Sequence, residues 1–254
     1  MLRKLLLISN STNAGEAYLS WPRGYIKGFL SRYDIREALF FPWAGVNLTP
    51  VSIEKSFDIY EERVQNVFGE LGCSIRSIHH EDRPVKAIAD AQGIVIGGGN
   101  TFHLVKMMYE TGVMPVIREK VLQGIPFVGW SAGANVACPT MMTTNDMPIC
   151  EPPSLKCLNL IPFQINPHYM DANPEGHAGE TREQRIMEFL TVNRNVYVAG
   201  LREGCLFTIE DGNISHSGKR SLRIFKYGTE TREYKPGEDI GFLLEDPGTS
   251  DQIS

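Results

Sequence analysis

Short apolar runs alternate with helix-period segments through most of this chain. Residues 4–9 read as a strand that ends in the polar loop Asn10-Ser11-Thr12-Asn13. Residues 17–33 read as a helix, and 38–42 as a second strand. Ile53, Phe57, Tyr60, Val64, Val67 and Leu71 recur at steps of four and three, which marks one face of a helix. Residues 73–78 and 93–96 are the next predicted strands. The second is apolar enough to be covered on both faces. Helices are predicted over 101–111 and 114–123, where Pro115 is allowed in a first turn, and 125–128 is the following strand.

Strand and helix alternation at this spacing predicts right-handed βαβ units and an α/β fold with a doubly wound, mostly parallel sheet. After residue 195 the pattern changes to short strands over 196–201, 205–209, 214–216, 222–227 and 232–234. Asp211-Gly212-Asn213 and Tyr227-Gly228 act as turns, so this part reads as an antiparallel extension. Without a linker or an internal repeat, residues 1–244 read as one domain and 245–254 as a polar, disordered tail. A chain of 254 residues is long enough to bury a sizeable core.

The charge balance narrows the partners. A net charge of −5 with no basic run argues against nucleic acid and against an anionic membrane surface. The apolar block Leu5-Leu6-Leu7-Ile8 is too short for a signal-peptide core, and no stretch approaches a membrane span. Five cysteines without C-x-x-C spacing form neither a disulfide framework nor a zinc knuckle. They read as reduced thiols of a cytoplasmic protein.

Ligands of an open parallel sheet bind at the carboxyl ends of its strands, so the loops that matter are 10–15, 97–101, 129–133, 166–181 and 201–204. Gly129-Trp130-Ser131-Ala132-Gly133 is a G-x-S-x-G run between a predicted strand and helix. A serine on such a turn has an exposed hydroxyl, and the next N–H points where an oxyanion would form. Gly97-Gly98-Gly99-Asn100-Thr101 lacks the spacing of a dinucleotide or P-loop. It reads instead as bare backbone N–H groups facing the serine, one of which, with the Ala132 N–H, would complete an oxyanion hole.

A serine nucleophile needs a base and an orienting acid. His168, in Asn166-Pro167-His168-Tyr169, comes just past a predicted strand, with His177 as the runner-up. His79 and His80, in His-His-Glu-Asp, read as a solvated turn because no partner ligands have matching spacing. Glu203 sits at a strand's carboxyl end and is preferred as the acid over Asp146, which lies in a polar loop. Thr181 and Gln184 fit a capping box that starts a helix at Arg182. An arginine there opposes the helix dipole, yet it suits the capture of a carboxylate.

Together, 6–12, 97–102, 129–135, 143–148, 164–168 and 180–185 resemble the peptidase E family of serine α-aspartyl dipeptidases, over roughly residues 4–243. The resemblance implies a glutamine-amidotransferase-like (flavodoxin-like) sheet and a Ser-His-Glu triad at Ser131, His168 and Glu203. It implies an oxyanion hole at Gly99 and Ala132, an aspartyl-binding Arg182 and an acid at Asp146, which or a neighbour of which would hold the free α-ammonium. It implies no cofactor and no metal, a small peptide substrate, and a monomer or homodimer. The family's Leu-Pro-Glu-Gly stretch is Leu201-Arg202-Glu203-Gly204 here, which adds a cation beside the acid. The order Ser, His, acid differs from that of the α/β-hydrolases. Rival readings are a cyanophycinase-like serine peptidase and a non-catalytic nucleotide-binding module of the same fold.

Overall fold

Alternation within the predicted strands divides the protein into layers. In the computed structural model, which describes residues 3–173, 176 and 178–245, β1 (Lys4–Ile8) sends Leu5 and Leu7 into one apolar layer and Leu6 and Ile8 into another. The same split recurs in β2 (Glu37–Phe41) and β4 (Ile94–Ile96), as a sheet covered on both faces requires. α1 (Arg23–Arg32) and most of the apolar face of α2 (Ile53–Glu70) pack on one side. α3 (Pro84–Ala89), α4 (Thr101–Glu110), α5 (Val113–Leu122) and α6 (Ala132–Asn135) pack on the other.

The main sheet has the order β3-β2-β4-β5-β1-β8-β9, with β3 (Ser74–Ser77), β5 (Phe127–Trp130), β8 (Cys205–Glu210) and β9 (Asn213–Gly218). Its first five members are parallel, and β8 and β9 add antiparallel edges. A second sheet of order β11-β10-β7-β6 holds β6 (Gln164–Tyr169), β7 (Val198–Arg202), β10 (Leu222–Phe225) and β11 (Arg232–Tyr234). One face of this sheet joins the main core through Ile165, Ala199, Leu201, Leu222 and Ile224. The other carries α7 (Arg182–Val192), held by Tyr169, Ile186, Leu190, Val198 and Phe225.

The mostly parallel α/β architecture matches the sequence pattern, with three differences in detail. The late strands are shared between two sheets, because β7 passes through the turn at Glu203-Gly204 into β8 of the other sheet. The helix expected over 17–33 begins only at Arg23, after Pro22, whose ring suits a helix start and not an interior. The strand expected over 125–128 runs on to Trp130, and the helix after the serine is a single turn. All five cysteines are free thiols, and among the described residues no helix is long and apolar enough to cross a membrane. Of the tail, 246–254 lie outside the described residues.

His216 on β9 is 2% exposed and packs beside Phe207, and burial pushes its imidazole down to about 4. Above pH 6.5 both folded and unfolded forms are neutral. As pH falls from about 6.5 toward about 4, the unfolded chain takes up a proton that the folded one refuses, so stability falls. The loss amounts to about 3 kcal/mol and levels off below that window. Urea midpoints measured from pH 7.5 to 4 should fall less steeply in His216→Phe than in the unsubstituted protein. Identical slopes would show that His216 is not the group responsible.

Candidate active site

The nucleophile candidate stands where three strand ends meet. β5 delivers Ser131 into a strained backbone (φ 53°, ψ −113°), a conformation that costs about 1–3 kcal/mol for a non-glycine residue. Its own N–H is tied to the Ile8 carbonyl at the end of β1 (2.9 Å). A Cβ on Gly133 would lie 2.0 Å from the Ile96 carbonyl, so only glycine lets the turn approach β4 this closely.

The loop after β4 is locked against the same turn. Trp130 stacks on Phe40 and donates its indole N–H to Tyr60 Oη (3.1 Å), which in turn donates to the Gly98 carbonyl (2.9 Å). Gly99 has φ 129°, and a Cβ there would meet the Ala44 carbonyl at 2.1 Å, so the position demands glycine. The Gly99 N–H has no hydrogen-bond partner among the described residues. Ala132, as first residue of α6, lies among the donors that a helix start leaves unpaired.

His168 lies within β6 and not past it. The pairing with β7 shifts between Pro167 and Tyr169, and the histidine takes φ 53° at that bulge. The bulge re-aims one side chain out of the strand's alternation. His168 Nε2 is 2.9 Å from Ser131 Oγ, and Nδ1 is 2.8 Å from Glu203 Oε1. The structure thus brings together Ser131, His168 and Glu203 from three separate strand ends. His177 lies outside the described residues.

Two buried polar residues, unremarked in the sequence beyond their place at a strand end, hold this arrangement. The Ser9 hydroxyl donates to the Leu201 carbonyl (2.8 Å) and accepts from the His168 N–H (3.0 Å), joining β1 to β7 and β6. Asn10 Oδ1 accepts from the Gly204 N–H (2.8 Å) and so holds the turn that carries Glu203. Asn145 and Asn166 add a further brace, with Asn145 Nδ2 on the Pro167 carbonyl (2.6 Å) and Asn166 Nδ2 on Asn145 Oδ1 (2.7 Å). The available signal was a polar pair directly continuing the apolar run Leu5-Leu6-Leu7-Ile8.

Arg202, the cation expected beside Glu203, points elsewhere. All five of its N–H donors are engaged, by both oxygens of Asp171, both oxygens of Glu233 and the Ser221 carbonyl. These partners hold its guanidinium well above the ordinary arginine range, its side chain is 9% exposed, and it braces β7 against β11. Asp146 Oδ2 accepts from the Thr101 N–H (2.7 Å), Thr101 Oγ1 (2.5 Å) and Thr144 Oγ1 (3.1 Å), which anchors its loop to the start of α4.

The capping box of Thr181 and Gln184 starts α7 at Arg182 as the sequence predicts. Arg182 is half-buried; burial and neighbouring Arg185 pull its guanidinium down while Asp146 pulls it up. Among the described residues no carboxylate comes within ion-pair distance of it. It shares a cleft of about 540 Å³ with Asp146, His168 and Glu203. A second cleft of about 450 Å³, lined by Tyr18, Asn47, Arg63 and Gly99, also holds Ser131 and His168.

Of the other histidines, His103 is tied through Nδ1 to the Trp43 carbonyl (2.6 Å). His79 and His80 are not the plain solvated turn that their neighbours in sequence imply, since α2 brings Asp58 and Glu61 against them. Removing the Ser9 hydroxyl would strand a buried N–H and a buried carbonyl, at about 2 kcal/mol. Ser9→Ala should lower the thermal midpoint by about 5 °C. An unchanged midpoint would show that the tether is not needed.

Comparison with known proteins agrees with this fold and its motifs. The model of peptidase family S51 matches residues 5–217. A peptidase E of Nostoc sp. (strain PCC 7120 / SAG 25.82 / UTEX 2576) is 47% identical over 96% of this chain and 98% of its own length. A peptidase E of Shigella flexneri serotype 5b (strain 8401) is 44% identical over 92% and 98%. The fold is shared with a solved Listeria monocytogenes EGD-e protein assigned to peptidase E (TM-score 0.61, 19% identity, covering 86% of this chain and 100% of that one). It is shared also with a peptidase from an acI-B1 Actinobacterium (TM-score 0.66, 15% identity, 94% and 96%). With a serine set on a strained turn beside a histidine and a glutamate, and with relatives alike over nearly their whole length, the chain belongs to peptidase family S51 and is a serine-type peptidase.

Proposed function

We propose that the chain hydrolyses dipeptides with N-terminal aspartate, Asp-Xaa, through an acyl-enzyme. The observation that carries this reading is Arg182, a half-buried guanidinium without a carboxylate partner among the described residues, facing the cleft that also holds His168 and Glu203. A cation kept half out of water and unpaired is complementary to an anionic side chain of the substrate.

In this reading Ser131 Oγ attacks the aspartyl carbonyl carbon while its proton passes to His168 Nε2. The carbonyl oxygen becomes an oxyanion held by the N–H groups of Gly99 and Ala132. Glu203 keeps the imidazole in the right tautomer and stabilises the imidazolium. His168 then returns the proton to the leaving amine, the C–N bond breaks, and Xaa departs. Water, deprotonated by the same imidazole, hydrolyses the ester and regenerates the serine. Asp146, in the same cleft with its Oδ2 already engaged at α4, or a neighbouring carboxylate would hold the α-ammonium.

Initial rates on Asp-Leu, Leu-Leu and N-acetyl-Asp-Leu test the specificity, with Asp-Leu expected to be strongly preferred. Arg182→Ala should lower kcat/KM on Asp-Leu by roughly a hundredfold or more, the scale of truncating one partner of a buried charge pair. Ser131→Ala should lose at least about a thousandfold in turnover. Equal rates on all three substrates would sink the aspartyl reading.

A further inference from the structure

A second cluster of reactive side chains lies away from the serine, where α2 packs against the short 3₁₀ turn after β3 (Ile78–His80). Asp58 and Glu61 are three residues apart on one face of α2, and His79 and His80 follow β3 directly. His79 Nε2 lies 3.3 Å from Asp58 Oδ1 and 4.0 Å from Glu61 Oε2. His80 Nε2 lies 3.8 Å and 2.8 Å from the same two oxygens. Among the described residues, Asp58, His79 and His80 form the one His/Cys/Asp/Glu group whose ligand atoms all fall within 4.8 Å of one another.

These distances suit a metal ion. Nitrogen and oxygen ligands sit about 2.1 Å from Zn²⁺, so two ligands at a tetrahedral angle lie about 3.4 Å apart. The four histidine–carboxylate separations, 2.8 to 4.0 Å, bracket that value.

The hydrogen bonding behind His79 points the same way. Its Nδ1 is 2.6 Å from Ser77 Oγ, whose hydroxyl is directed to the Phe40 carbonyl (3.5 Å). The Ser77 contact anchors one ring nitrogen and leaves Nε2 facing the two carboxylates. The His79 ring is largely buried against Phe57, which fixes its orientation. An outer hydrogen bond that orients the ring is what metal-binding histidines have.

We propose that Asp58, Glu61, His79 and His80 form a binding site for a divalent ion of the zinc class. Mixed imidazole and carboxylate ligands favour such an ion over Mg²⁺ or Ca²⁺. The ion would fasten α2 to the end of β3. It would take no part in the serine chemistry, but Tyr60, between the two acids on α2, is the residue that holds the Gly98 carbonyl.

Calorimetric titration of the full chain with Zn²⁺ tests the site against Asp58→Asn and His80→Ala, two substitutions at partly exposed side chains. Thermal unfolding in chelator should be the same for all three proteins, which establishes that the variants fold. The unsubstituted protein should show a saturable site that weakens at least about tenfold in each variant. Absence of saturable binding, or a variant that binds like the unsubstituted protein, would overturn the proposal and leave a proton-bridged cluster in its place.

Discussion

The arrangement around Ser131 depends on one hydroxyl at the end of β1. Ser9 is fully buried, and its oxygen both receives the His168 N–H and donates to the Leu201 carbonyl. β6 and β7 belong to a different sheet from β5, so nothing in the main ladder sets the distance from His168 to Ser131. Ser9 supplies that link, and Asn10 repeats it for the turn at Gly204. A tether at one backbone position and a bulge at the same residue together fix where the imidazole stands.

Strain is concentrated at this junction. Ser131 and His168 both have φ of 53°, a region that side chains with a Cβ enter only at a cost. Each is held at the end of β1 by a hydrogen bond from its own N–H, Ser131 to the Ile8 carbonyl and His168 to the Ser9 hydroxyl. The apolar residues of β1 are buried between two layers, so the strand is a rigid frame for both contacts. Rigidity here replaces the reorganisation that a looser site would need as charge develops.

Charge is handled differently in two arginines that face related strands. Arg202 is satisfied at every donor and works as a brace between β7 and β11. Arg182 has no such partner among the described residues and opens onto the cleft. Both are cations in the same part of the fold, yet only the second is left to meet an anion from solution.

Much of this was readable from local pattern. Apolar runs of two-sided strands, the helical period from Ile53 to Leu71, the capping box at Thr181 and Gln184, and the glycines around Ser131 and Gly99 all act within a few residues. Periodicity, caps and turn chemistry are short-range physics, and the sequence states them directly. Tertiary packing alone decided the rest. It divided the late strands between two sheets, put His168 in a bulge, and turned Arg202 toward Asp171 and Glu233. It also gave Ser9 and Asn10 partners nearly two hundred residues away and carried α2 to His79 and His80. Each of these depends on which distant segments come to lie side by side. That choice is made by burial of the whole core, to which no short stretch of sequence has access.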